Sequence, residues 1–301
     1  MNYDKVNGDV GFLEEPHKYF NLKDPSIQYI SVTTLIGSYE PEFDSSWVSK
    51  YKALERLLPS NIWKKEKGAL WKSHKIPKEF LEVYDIKESD LNKVQQDILD
   101  EWEKINKESC ERGTKIHAQL ENSFYNAGNN VSLKKFGIGG KFQCKKNYMN
   151  LDLEYGVYPE YLIYYDNPKL DIHIAGQIDL IVKNGNNIFL IDHKSNKKID
   201  LKGFYSSYTR STEKLKYPLG TLDNCNFNVY QLQLSMYAWM LQKINPNFVI
   251  KGLILNHYDH EGNNTLYHCQ YLKDEVEKML KHYAKQQKLK KQKSKYERIE
   301  Y

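Results

Sequence analysis

Three charged residues stand where an apolar stretch should not tolerate them. From Ile174 to Ser195 the chain reads IAGQIDLIVKNGNNIFLIDHKS. Asp179 is flanked by Ile178 and Leu180, while Asp192 and Lys194 close a second apolar run on either side of His193. Charges this close to a core are costly unless they are paired or hold a metal. Asp192 and Lys194 are two positions apart, so on a strand they face the same side. Two carboxylates and a lysine on one patch suit a divalent cation and an activated water. The bland alternative is a surface hairpin carrying a salt bridge.

The elements that must hold these groups are legible around them. Ile178, Leu180 and Val182 alternate with Asp179, Ile181 and Lys183, the period of a strand. Asn184-Gly185-Asn186-Asn187 is turn chemistry, with Gly185 free to take a positive φ. Ile188–Ile191 is continuously apolar, as in a strand buried on both faces. The stretch is therefore expected to be a hairpin in the middle of a sheet.

Other polar residues fall at suggestive spacings. His117 and Glu121 are four apart within TKIHAQLENSFY and share a helix face; a lone helical histidine is more often structural than a ligand. Glu160 lies inside the apolar, aromatic run 156–165, either on an exposed strand face or as a further active-site carboxylate. Gln233 and Tyr237 are four apart in NFNVYQLQLSMYAWMLQKI, whose expected apolar stripe is Val229, Leu232, Met236 and Trp239. They either bond a phosphate or Lys194, or are polar rim residues of an amphipathic helix.

Taken in order, these residues resemble the PD-(D/E)XK nuclease superfamily. Asp179 stands for the first acid, Asp192 for the second and Lys194 for the motif lysine; the proline is absent, Ile178 preceding Asp179. Gly176-Gln177-Ile178-Asp179 is closer to the RecB-type branch, where GxxD replaces the proline form. The segment ERGTKIHAQLE resembles the G-T-x-x-H-x-x-x-E helix of that branch. This implies that His117 faces the metal, while Glu121 is a support or a hydrogen-bond acceptor. The same branch has a glutamate on the strand before GxxD, matched by Glu160, and a Q-x-x-x-Y helix after D-x-K, matched by Gln233 and Tyr237. The resemblance spans roughly residues 108–258, and SVTTLIG near the N-terminus resembles phage-encoded members.

What the resemblance implies is an α/β chain with an αβββαβ core, a mixed central sheet flanked by helices. The implied activity is that of a metal-dependent DNA nuclease of RecB-like exonuclease type, serving DNA replication, recombination or repair. Mg2+ or Mn2+ would be held by Asp179, Asp192, the His193 carbonyl and His117. Lys194 would handle the attacking water, with Glu160, Gln233 and Tyr237 in the catalytic surround. The partners would be single- or double-stranded DNA ends, together with recombination or replication proteins. Two alternatives stand beside it: a flap-type endonuclease on the same site, and a non-catalytic DNA-binding or recombination module that keeps the fold.

Composition agrees with a globular chain. It has 301 residues, a net charge of +5 and a hydrophobic share of 40%, enough for one large or two medium domains. A mildly basic chain permits nucleic acid as partner without demanding it. Of 44 basic residues, only Arg56, Arg112, Arg210 and Arg298 are arginines. Cys110, Cys144, Cys225 and Cys269 form no C-x-x-C pair, which disfavours zinc knuckles and iron–sulfur relatives. No membrane helix and no secretory signal are expected, so the chain is placed in a reducing cytoplasm, a bacterial host's if it is phage-encoded.

The expected organisation is an N-terminal β/helical region over 1–87 and the nuclease core over 88–301. The runs 17–20 and 29–36 read as strands. A helix is capped by Asp44 or Ser45 and ended by Pro59, and Trp63 and Trp71 are packed in a helical insert. A long helix starts at Ser89 or Asp90 and ends at Gly128, a short helix follows Gly139-Gly140, and strands lie at 248–255 and 265–271. Two basic stretches are proposed to touch phosphate: the long loop 196–225, and the tail that continues the last helix from Asp274.

Overall fold

The computed structural model describes residues 3–145, 153–206 and 210–297. They form two compact units, one of residues 1–41 with 113–301 and one of residues 42–112. The boundary expected at residue 87 falls inside the second unit.

The chain opens with an antiparallel meander of β1 (Lys5–Asn7), β2 (Val10–Leu13) and β3 (Lys18–Asn21). β4 is only Ile30–Ser31, and α1 (Val32–Gly37) follows at once. The β-branched run 30–36 is thus not one strand. Ser31 Oγ accepts a hydrogen bond from the Thr34 amide at 2.9 Å, an N-cap that turns the chain into a helix. Val32, Leu35 and Ile36 then fall on one buried face.

The second unit is helical: α2 (Ser45–Leu57), α3 (Ser60–Ser73), α4 (Lys78–Val83) and the first part of α5 (Glu88–Ala127). Asp44 caps α2 through the Trp47 amide at 2.8 Å. Leu54, Trp63, Leu70, Leu91 and Ile98 are its core, whereas Trp71 lies at its rim, 43% exposed with its ring against Tyr51. α5 runs unbroken through Gly113, and its residues 113–127 belong to the first unit. Gly128, at φ 57°, ends it.

β5 (Val131–Leu133) and β6 (Ile138–Phe142) make a small antiparallel pair. Gly139 and Gly140 lie inside β6, and the rest of the short helix expected after them falls largely outside the described residues. The central strands are β7 (Gly156–Asn167), β8 (Ile172–Asn184) and β9 (Asn187–Lys194). Asn184 pairs with Asn187 across a two-residue turn in which Gly185 has φ 61°, so the expected hairpin is present. A short hairpin, β10 (Tyr205–Ser206) with β11 (Ser211–Thr212), precedes α6 (Asn226–Ile244). β12 (Val249–Tyr258), β13 (Asn264–Cys269) and α7 (Lys273–Glu297) complete the described chain.

The sheet runs β13-β12-β9-β8-β4, with β7 also on β8. It is mixed: β9 with β12 and β4 with β8 are parallel, the other pairs antiparallel. One face packs on α6, which is in turn backed by α1 and α7. The other face, with Leu180, Val182, Ile191 and Ile254, packs on Phe124 and Leu120 of α5 and on β5 and β6. α6 is not amphipathic as its stripe suggested. Every residue from Gln231 to Leu241 is buried, because elements lie on both of its sides.

Candidate active site

The site is a fork in the sheet. β7 takes one edge of β8 from Ile172 to Lys183. The other edge is shared, β4 pairing at Ile174 and Ala175 and β9 at Leu180–Asn184. Between them, residues 176–179 meet neither strand. Past the Leu180–Ile191 pair, β9 leaves β8 yet follows β12 as far as Lys194 opposite His257. Asp179 and residues 192–194 face each other across the opening. Asp179 Oδ2 accepts the His193 amide at 2.6 Å, replacing the ladder bond that the diverging strands cannot make.

Glu160 enters from β7. Its φ of 47° is left-handed, and the β7–β8 register passes from Pro159–Leu180 directly to Tyr161–Ile178. A non-glycine residue held there costs on the order of 1–3 kcal/mol. The carboxylate meets α5, where Glu160 Oε1 is 3.3 Å from His117 Nδ1. The same nitrogen is 3.7 Å from Asp179 Oδ2, and His117 Nε2 is 3.0 Å from the His193 carbonyl. Ligand atoms of His117, Glu160 and Asp179 all lie within 4.8 Å of one another.

The second half of the fork is a lysine cage. Lys194 Nζ is 2.7 Å from Asp192 Oδ2, 3.3 Å from Gln233 Oε1 and 4.7 Å from the centre of the Tyr230 ring. Gln233 Nε2 donates to Asp192 Oδ1 at 3.1 Å, so one amide from α6 holds both members of the ion pair. Tyr237, one turn on, is 3% exposed and backs Gln233. Its ring lies over Gly176, where a Cβ would stand 2.7 Å from the ring carbon Cε1.

The electrostatics follow from burying acids together. Burial alone would lower the His117 pKa, but Asp179 and Glu160 beside it hold it up at about 9. Glu160 and the His193 carbonyl both accept, so His117 carries protons on both nitrogens, an imidazolium where the acids call for a cation. Burial raises Asp179, and it raises Asp192 to about 6 despite Lys194. Burial would lower Lys194 as well, yet Asp192 and Asp179 push it above its ordinary value, so it stays an ammonium. His193, whose side chain points away to Asn256 at 2.8 Å, is driven well down by burial and stays neutral.

All of the sequence-derived candidates but one gather at the fork. His117, Glu160, Asp179 and the His193 carbonyl meet in one group, and Asp192, Lys194 and Gln233 in the adjoining one. Glu121 is not in either group and accepts a hydrogen bond from Tyr125 at 3.1 Å. Residues not singled out in sequence also belong here. Lys5 on β1 donates to Gln177 Oε1 at 2.7 Å and lies 3.9 Å from Glu160 Oε2. Tyr230 is three residues before Gln233, a spacing that places it on the same helix face. Asn256 anchors the His193 ring across the sheet. Only Tyr230 carried a sequence signal; Lys5 and Asn256 arrive through tertiary pairing.

Two carboxylates, an imidazole and a carbonyl form an oxygen-rich donor set with one nitrogen, which suits a hard divalent cation of the Mg2+ or Mn2+ kind. Asp192 stands beside that set with both oxygens engaged by Lys194 and Gln233.

No family model matches the chain, and no curated protein matches it. Among solved structures the chain is similar to a protein of Eubacterium rectale named "Putative exonuclease", at 9% identity over 85% of this chain and 77% of that one, with a TM-score of 0.29. A likeness of that size carries no inference about activity. No helix among the described residues is long and apolar enough to cross a membrane.

Proposed function

We propose that the chain is a metal-dependent DNA nuclease of the PD-(D/E)XK type, in its RecB-like exonuclease branch, acting on DNA ends in replication, recombination or repair. One observation carries the reading: a sheet fork that places His117, Glu160 and Asp179 within 4.8 Å of one another beside an Asp192–Lys194 pair at 2.7 Å. The nuclease unit proposed at 88–301 is accordingly redrawn as residues 1–41 with 113–301, since Lys5 reaches Glu160.

In this reading Asp179, Glu160, His117 and the His193 carbonyl would hold Mg2+ or Mn2+, and Asp192 beside them would be the further carboxylate ligand. A bound divalent cation supplies Lewis acidity to the phosphodiester and to the attacking water. His117 gives up a proton to become a ligand. Lys194, kept protonated by its two carboxylates, donates hydrogen bonds to water or to a phosphate oxygen and does not act as the base. Gln233 fixes the Lys194 head, and the Tyr230 face stabilises its charge. Tyr237 keeps Gln233 in place from behind. No covalent intermediate is needed.

The test is digestion of end-labelled linear and closed circular DNA, single- and double-stranded, with Mg2+ or Mn2+. Loss of label as mononucleotides from linear DNA only is expected. Cutting of circles or of flap junctions would move the reading to an endonuclease. Tight DNA binding with no cleavage would move it to a non-catalytic recombination module.

A further inference from the structure

We propose that Phe204 and Tyr205, at the start of the β10–β11 hairpin, are a stacking platform for unpaired bases, so that the strand delivered to the fork is single-stranded DNA. What the fork then does with that strand rests on the nuclease reading above.

The hairpin exposes what a folded chain ordinarily hides. Phe204 is 71% exposed, Tyr205 58% and Leu201 57%. Two of the three are aromatic residues adjacent in the chain, and both rings stand open to solvent. The segment is also built, not loose. Asp223 Oδ1 accepts from Thr212 Oγ1 at 2.9 Å and is bonded by Lys214, and Asp223 Oδ2 accepts the Gly203 amide at 3.3 Å. Glu213 N donates to the Phe204 carbonyl at 2.8 Å. Gly203 sits so close to the Glu213 and Asn224 backbone that any Cβ there would collide with it. A buried glycine and an ion-paired aspartate thus fix the base while the aromatic residues stand outside it.

Its position ties it to chemistry. Asn226, the first residue of α6, holds the start of the loop, accepting the Asp200 amide at 2.7 Å and donating to the Lys198 carbonyl at 2.9 Å. Tyr230 is four residues further on the same helix face, and its ring cradles Lys194. The start of the loop that leads into the hairpin and the lysine are therefore carried one helical turn apart. Residues 197–214 contain five cations (Lys197, Lys198, Lys202, Arg210, Lys214) and two acids (Asp200, Glu213), a net of +3. Lys198 pairs with Asp200 at 2.7 Å, Glu213 is bonded by Asn224, and Lys202 and Arg210 are exposed. Aromatic faces among cations match a polyanion whose bases are uncovered. In a duplex the base faces are already stacked on each other and only the charge would be used.

The test uses the full chain in EDTA, where no cleavage intrudes, with a single-stranded oligonucleotide carrying 2-aminopurine and a duplex of the same sequence. Stacking on the hairpin should change the probe's fluorescence, and the single strand should bind more tightly than the duplex. Phe204→Ala with Tyr205→Ala should abolish the fluorescence change and weaken single-strand binding on the order of tenfold or more, leaving duplex binding unchanged. Phe204→Trp with Tyr205→Trp should retain both. Equal single-strand affinity and signal in the wild type and the alanine variant would overturn the proposal, as would an equal loss on single strand and duplex. If the wild type stacks the probe but cuts no DNA with Mg2+ or Mn2+, the nuclease reading fails and the platform stands. If it cuts but never stacks the probe, the reverse holds.

Discussion

Gly176 and Tyr237 occupy one place: a Cβ on Gly176 would stand 2.7 Å from the tyrosine's Cε1 and 2.9 Å from its phenol oxygen. The glycine of the GxxD stretch is needed here for space. It lets α6 sit close enough on the part of β8 that meets neither β4 nor β9 for Gln233 to reach both Asp192 and Lys194.

Gly176→Ala should therefore displace the ring and destabilise the protein by about 1–3 kcal/mol, the usual cost of overpacking. Tyr237→Leu should recover part of that loss when combined with it, making the pair non-additive. Denaturant melts of the two single variants and the double variant measure this, and simple additivity would deny the contact.

Asp192→Asn should abolish cleavage and leave the fold, because Lys194 keeps Gln233 and the Tyr230 ring while losing one carboxylate. Lys194→Ala should keep metal binding and lose on the order of 100-fold or more in rate, as when a preorganised electrostatic group is removed. The readouts are cleavage in Mg2+ and DNA binding in Ca2+. Wild-type rates in both variants would sink the assignment.

Metal binding should depend on pH through His117. Its folded pKa, about 9, lies above the ordinary 6.5, so the metal-free protein binds a proton there that a metal must displace. Apparent affinity for Mn2+ should thus rise by up to about tenfold per pH unit as pH approaches 9 from below and level off above. Below about pH 6, protonation of Asp192 should weaken it further. His117→Ala should flatten the upper part of this curve. Without metal, the stability that protonated His117 contributes is fully present below pH 6.5 and is lost as pH rises through 9. Calorimetric titration across pH checks the slope, and a flat curve in the wild type would return His117 to a structural role.

Lys5→Met should lower metal-free stability by about 1–3 kcal/mol, since Gln177 loses its donor and the partly buried Glu160 loses a cation at 3.9 Å. Added Mn2+ should then raise the melting temperature more in the variant than in the wild type, because it replaces the missing charge at Glu160. Equal metal-induced shifts would place Glu160 outside the metal set.

The residue pattern by itself determined the strands around Asp179 and Asp192 and the turn between them. A period-two run, an Asn-Gly turn and a continuous apolar run allow little else, and the cost of charges in that setting marked the polar centre. It likewise determined α5 and α6 through helical spacing. It misread 30–36, where β-branched residues favour a strand until the Ser31 cap and the buried face of α1 outweigh them. It misread α6 as amphipathic, because which sides of a helix are covered depends on the elements that arrive. Tertiary structure alone decided that β8 would share one edge between β4 and β9. That division opens the fork, while β1 on β7 brings Lys5 and β12 on β9 brings Asn256 to residues more than 60 positions away. Such pairings have no local signature, because they are set by strand order in the sheet and not by neighbours along the chain.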